Sequence, residues 1–251
     1  MAFGRRSGNG IALAPGFSRR GKEPKVKMRL TIPLIVILLL TAAFAQPQSA
    51  DLERVLSEMD MAAKTFHTAE ANFTFDQYTK VVDETDTQKG KLYFRRQGKD
   101  AEMAADFSEP KQYAIYSGGK AQLYNPKTDT VNEYRADKNR AQVEAFLLLG
   151  FGGGGHDLLS TYDVQYRGQE TVNGVATAKL ELVPKSKDLL NNISKIVLWA
   201  DPVQGVSVQQ QMFFPGGDYR LAKYSDIQLN KKLPDSVFKL KTTGKTKFVP
   251  Q

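Results

Sequence analysis

The chain has 251 residues, 41% of them hydrophobic, with no cysteine and with 35 basic against 27 acidic residues. The lack of cysteine excludes a disulfide framework, thiol chemistry and anchoring through a lipid-modified cysteine. The basicity is local: residues 1–45 hold eight Lys/Arg and one acid, Glu23, which leaves 27 basic and 26 acidic residues in 46–251. A near-neutral remainder carries no electrostatic footprint for nucleic acid.

Residues 1–29 are rich in Gly and Arg, and Met28 and Arg29 lead into a mostly apolar run at 30–40. Ala43, Phe44 and Ala45 then match the small-x-small cleavage rule, so 1–45 is expected to be an N-terminal extension plus a secretory signal peptide, with Met28 as an alternative start. The run contains Pro33 and falls short of the roughly 20 apolar residues of a spanning helix. Ser18, Arg19 and Arg20 lack the apolar sequel of a twin-arginine signal. The expectation is a single domain over 46–251, exported to the periplasm.

Ser49 or Asp51 can cap a helix whose apolar residues Leu52, Val55, Leu56, Met59, Ala63 and Phe66 recur at helical spacing. From Asn72 onward the period changes to that of strands. Phe73 and Phe75 alternate with polar residues, and the charged stretch 81–89 reads as a turn region. In Gly90, Lys91, Leu92, Tyr93, Phe94, Arg95, Arg96, alternation sets Leu92, Phe94 and Arg96 on one face. Arg96 is then either a solvated strand-end cation or an inward one that needs carbonyl or carboxylate partners. Met103, Ala105 and Phe107 alternate; 113–116 and 121–124 flank the turn Ser117, Gly118, Gly119, Lys120.

Residues 137–149 break the β rhythm, with Val143, Phe146, Leu147 and Leu149 on one apolar face and Gly150 at a helix end. The glycines 152–155 lack the Lys-Ser/Thr of a phosphate loop and read as a flexible hinge, followed by a short helix at 157–162. Beyond it hairpins resume: Asn173-Gly174 is a two-residue turn, and Ala176, Ala178, Leu180 and Leu182 share a face, as do Ile196 and Leu198. Roughly ten short strands without a βαβ rhythm predict a mainly β fold, one strongly curved or barrel-like antiparallel sheet with helices on one side.

No catalytic set is visible. His67 and His156 lack metal-ligand spacing, and neither a nucleophile elbow nor an HExxH pattern occurs, so no enzyme activity and no cofactor are expected.

The chain resembles the outer-membrane lipoprotein carrier family of LolA type across nearly all of 46–251. The resemblance is carried by Asp51-Leu52, Phe66-His67, Asn72 to Thr74, the stretch 90–96, Glu109-Pro110, Gly119-Lys120, Leu123 to Pro126 and Pro234 to Phe238. It implies an incomplete antiparallel barrel with a lid of short helices over an apolar cavity. It implies, too, a monomeric periplasmic carrier of acylated lipoproteins, loaded by an ATP-driven inner-membrane exporter and unloaded at an outer-membrane receptor. The family's cavity arginine corresponds to Arg96, which would bond lid carbonyls in the closed, empty state. Leu92, Phe94, Met103, Phe107, Ile115, Leu180, Leu182 and Met212 become candidates for the cavity lining, and Val143, Phe146 and Leu147 for the lid. This sequence departs from the family where Gln97, Gly98 and Lys99 replace a proline after the arginine, and where Met103 and Ala105 replace aromatics. A lipid- or lipoprotein-sensing regulator on the same scaffold is the alternative, and an uncharacterised hydrolase the more remote one.

Overall fold

The apolar spacing of the first helix, α1 (Pro47–Thr65), buries Val55, Leu56 and Met59. Arg54 and Glu58, one turn apart, pair at 3.3 Å on its solvent side. The structure, a computed structural model, describes residues 47–97, 100–135 and 149–251. The expected signal segment at 1–45 and the expected lid residues Val143, Phe146 and Leu147 lie outside them.

Twelve strands follow: β1 (Thr68–Thr79), β2 (Glu84–Gln97), β3 (Asp100–Phe107), β4 (Gln112–Ser117), β5 (Lys120–Asn125), β6 (Thr130–Arg135), β7 (Tyr162–Val172), β8 (Val175–Pro184), β9 (Lys195–Asp201), β10 (Val206–Phe213), β11 (Tyr219–Leu229) and β12 (Lys247–Pro250). The one-turn helices α2 (Leu158–Thr161) and α3 (Lys187–Leu190) precede β7 and β9 respectively. The strands form one curved sheet, open between its ends, in the order β12-β6-β5-β4-β3-β2-β1-β11-β10-β9-β8-β7. All its pairings are antiparallel except the parallel pair β12–β6. The stretch 81–89, expected as a turn, is mostly strand. Six of its residues pair with β1, from Glu84 opposite Thr79 to Lys89 opposite Thr74. Thr87 donates to Asp76 at 2.8 Å, so polar side chains support the ladder where burial does not.

The helix packs on one face of the sheet, here the inner face. Val55, Leu56 and Met59 meet Tyr166, Ala178, Leu180, Leu182, Ile196 and Leu198 in one core spanning β7, β8 and β9. A second core gathers Phe66, Phe73, Leu92, Phe94 and Phe151 around β1 and β2. The outer face is also covered. Trp199 packs there with Val197 and Val208, and Leu233 and Phe238 of the C-terminal segment cover Ala104 and Ile115.

Gly90 has a packing role. It stands between Phe73 on β1 and Phe107 on β3, whose rings meet edge to face at 5.2 Å. A Cβ at Gly90 would lie 2.1 Å from the Asp106 carbonyl oxygen and 2.9 Å from the Phe73 ring. Gly90→Ala should therefore destabilise the fold by about 1–3 kcal/mol, the usual cost of overpacking, read as a lowered midpoint of thermal unfolding. An unchanged midpoint would contradict this packing.

Candidate functional site

Because α1 covers the β7–β9 part of the inner face, the side chains projecting from β1, β2, β3, β10 and β11 surround a space of their own. Alternation selects them: Phe73 and Phe75 from β1, Leu92 from β2, Met103, Ala105 and Phe107 from β3, Gln210 and Met212 from β10, and Arg220, Ala222 and Tyr224 from β11. With Gly150, Phe151 and Phe214 they enclose a cavity of 430 Å³, within the roughly 300–1,000 Å³ range of small-molecule sites. Its wall is overwhelmingly apolar. Burial pushes the Tyr224 phenol up to about 12, so this group stays neutral, and Gln210 and Arg220 are the strongly polar side chains on the wall.

Arg95 and Arg96 separate as strand alternation requires. Arg95 points to the outer face, where it bonds Glu102 at 2.8 Å and Asp235 at 2.5 Å and lies 4.4 Å from the centre of the Phe238 ring. Arg96 points to the inner face. Its Nη1 donates to the Ala63 carbonyl at 3.5 Å and its Nη2 to the Gly152 carbonyl at 2.5 Å. Desolvation lowers its pKa, and Asp157 partly counters that. One guanidinium thus ties β2 to the end of α1 and to the glycine run.

That run is held more tightly than the hinge expected from the sequence. Phe151 forms a bridge with Val206, Gly152 N–H donates to Gly205 O at 3.2 Å, and Ser207 N–H donates to Gly150 O at 2.8 Å. A Cβ at Gly152 would meet the Phe66 ring at 2.2 Å, and one at Gly155 the Leu56 carbonyl oxygen at 2.3 Å. These glycines let the chain lie directly on α1 and the residue that follows it. Gly152 also adopts a φ of 70°, which an L side chain rarely adopts. They are a packing surface rather than a free tether.

His156 fastens the far end of the run. Its ring nitrogens meet Asp60 at 2.5 Å and Glu53 at 3.2 Å, and its backbone N–H donates to Asp60 at 3.1 Å. The bond to Asp60, then that to Glu53, raises the imidazole pKa. Desolvation alone would raise Asp60, but the bonds from His156 and the Gly155 N–H outweigh it and leave Asp60 lowered.

Of the residues expected to line the cavity, Leu92, Met103, Phe107 and Met212 stand on its wall. The other four lie elsewhere. Phe94 is fully buried behind the wall, 5.6 Å from the Phe66 ring and 6.2 Å from the Phe151 ring. Leu180 and Leu182 are consumed by packing against α1. Ile115 faces outward under Leu233 and Phe238, because its register neighbour Ala104 sits on the outer face of β3. Phe73, Phe75, Phe214, Arg220, Ala222 and Tyr224 were not anticipated. The alternation of Arg220, Ala222 and Tyr224 was a legible signal for three of them.

A curved, open sheet backed by one helix, with an apolar cavity beside that helix, defines a half-barrel fold. The chain belongs to the LolA family, whose model, "Outer membrane lipoprotein carrier protein LolA", matches residues 64–241. Among solved structures it is similar to Pseudomonas aeruginosa MucB, at 12% identity over 80% of this chain and 66% of that one, with a TM-score of 0.51. It is similar as well to an uncharacterized conserved protein from Thermus thermophilus, at 9% identity over 81% and 100%, TM-score 0.50. A putative outer membrane lipoprotein-sorting protein domain from Vibrio parahaemolyticus matches at 15% identity over 74% and 95%, TM-score 0.42. No curated protein matches the chain. No helix among the described residues is long and apolar enough to cross a membrane.

The His156 contacts predict a pH dependence. A raised native pKa means that the stabilisation is fully present below the ordinary imidazole value of about 6.5 and is lost as pH rises through the native value. In thermal unfolding between about pH 5.5 and 9, a window chosen to bracket that titration, the advantage of the wild type over His156→Gln should be greatest at the acid end and fall as pH rises to the alkaline end. A constant difference would contradict it.

Proposed function

We propose that this protein is a non-enzymatic periplasmic carrier that shelters the acyl chains of lipoproteins in the cavity and ferries them from the inner to the outer membrane. The observation that carries this reading is the 430 Å³ apolar cavity on the inner face of an open sheet. Its expected partners are acylated lipoproteins, an ATP-driven exporter in the inner membrane and a receptor at the outer membrane. Membership of the LolA family supports the assignment.

Burying a methylene is worth about 0.8 kcal/mol, so a multi-chain anchor brought from water would exceed the roughly 20 kcal/mol ceiling of non-covalent affinity. Transfer therefore runs from bilayer to cavity to bilayer, between states of similar free energy. A small bias then sets direction. The Arg96 bonds to Gly152 and Ala63 favour the arrangement in which the glycine run, α1 and β2 are held together. A hydrogen bond from a charged group contributes about 1.5–3 kcal/mol, enough to weaken the hold on cargo whose entry breaks those bonds.

Two outcomes follow. Arg96→Leu should load an acylated protein normally yet release it at least about tenfold more slowly in a purified two-membrane transfer assay, as loss of such a bond implies; unchanged transfer would refute the role of Arg96. Ala222→Trp, placing an indole in the cavity from its half-buried wall position, should abolish co-purifying acyl lipid, as read by mass spectrometry of organic extracts from detergent-free preparations. Retained lipid in a variant with unaltered thermal unfolding would remove the cavity from the proposal.

A further inference from the structure

Arg220 is the cation on the cavity wall. It occupies the inner face of β11 two residues from Ala222 and four from Tyr224, beside the exposed turn at 215–217. Its Nη1 donates to the backbone carbonyls of Tyr78, at 3.2 Å, and Tyr219, at 3.0 Å. Its guanidinium carbon lies 5.3 Å from the centre of the Phe214 ring. The head is thereby fixed in place through one nitrogen and one face. Its Nε–Nη2 edge has no hydrogen-bond partner among the described residues, and no carboxylate there forms an ion pair with it. Arg54, Arg95 and Arg167, by contrast, each pair with an acid. The carboxylate in its own cross-strand row, Asp86, lies two strands away beyond Gln77 and is exposed.

An immobilised guanidinium with a vacant two-donor edge matches an oxyanion, which it can bind through two parallel hydrogen bonds. The hydrophobic wall beside it matches a hydrocarbon chain. The cavity's 430 Å³ lies in the range of sites that enclose small organic ligands, a size that suits a single hydrocarbon chain. If every ligand of the site were an uncharged acyl glyceride, a leucine at this position would serve as well and avoid the cost of holding a charge on an apolar wall. We infer that the cavity also takes single-chain anionic amphiphiles, with the tail along Phe75, Met212 and Tyr224 and a carboxylate or phosphate head on the Nε–Nη2 edge of Arg220. The inference rests on the reading of the cavity as an acyl site and adds a headgroup to it.

The test is competition against a fluorescent acyl probe on the purified protein, with palmitate, 1-palmitoyl lysophosphatidate and uncharged monopalmitoylglycerol as competitors. The anionic lipids should bind about ten- to a hundredfold tighter than the neutral one, the range expected for a charge-assisted hydrogen bond. The order of the two anions tells carboxylate from phosphate as the preferred head. Arg220→Gln, with its fold checked by circular dichroism, should erase the preference, so that the anionic and neutral lipids compete about equally. Arg220→Lys, which keeps the charge and loses the fork, should keep only part of the preference. Equal binding of all three by the wild type, or a preference that survives Arg220→Gln, would overturn the headgroup site while leaving the acyl cavity standing. Binding of none of them would overturn the cavity reading and this inference with it.

Discussion

A half-buried guanidinium on the inner face of a sheet needs acceptors for its protons, and Arg96 obliges the rest of the chain to deliver them. Strand alternation fixes it on the same face as Leu92 and Phe94, so rotation into solvent on the other face is closed to it. The acceptors come from outside the sheet: Ala63 from the last turn of α1, and Gly152 from the segment that lies against that helix. Gly152 reaches that position only because the segment has no side chains where it crosses Phe66 and Leu56. The helix, the glycines and the arginine are one device, and none of the three has a reason to be where it is without the others.

The cavity arises from the same arrangement. Residues 47–65 give a helix long enough to cover β7, β8 and β9, where Leu180, Leu182, Ile196 and Leu198 are packed solid against it. The strands beyond, from β10 across to β3, project large apolar groups on the same face without that helix against them. Phe73 and Phe107 lean together over Gly90, and Phe151 meets Tyr224 edge to face at 5.0 Å. Space is retained between these rings and the Met103 and Met212 side chains, whose flexible thioethers suit a surface that adapts to its contents.

The sequence made α1, the hairpin rhythm and the pairing of Arg96 with Leu92 and Phe94 on one face legible, since each depends on local periodicity. It did not show which apolar face would be solid and which hollow. Leu180 and Met103 look alike in a strand pattern, and what separates them is where α1 comes to rest. Ile115 misled for a related reason: both faces of β4 are apolar, because the C-terminal segment carrying Leu233 and Phe238 returns over the outer one. The polar strand at 84–89 was hidden because its support comes from β1 across the hairpin rather than from burial. Glycines read alone signify freedom; at 152 and 155 they signify close contact, which depends on a helix nearly a hundred residues away.

Arg96 and Arg220 share a face of the sheet and the same bonding habit, each holding backbone carbonyls rather than a carboxylate. The choice has an electrostatic consequence. An ion pair cancels a charge, whereas carbonyl dipoles solvate it and leave the net charge to act on whatever enters the low-dielectric space nearby. The two differ in where their acceptors stand. Those of Arg220 belong to its own strand and to the adjacent β1, so its position is fixed by the sheet. Those of Arg96 belong to α1 and the glycine run, so its bonds last only while these elements keep their present relation to β2. One cation is thus suited to contact a ligand and the other to register whether the elements around the ligand have separated, a division of labour that follows from which atoms accept their protons.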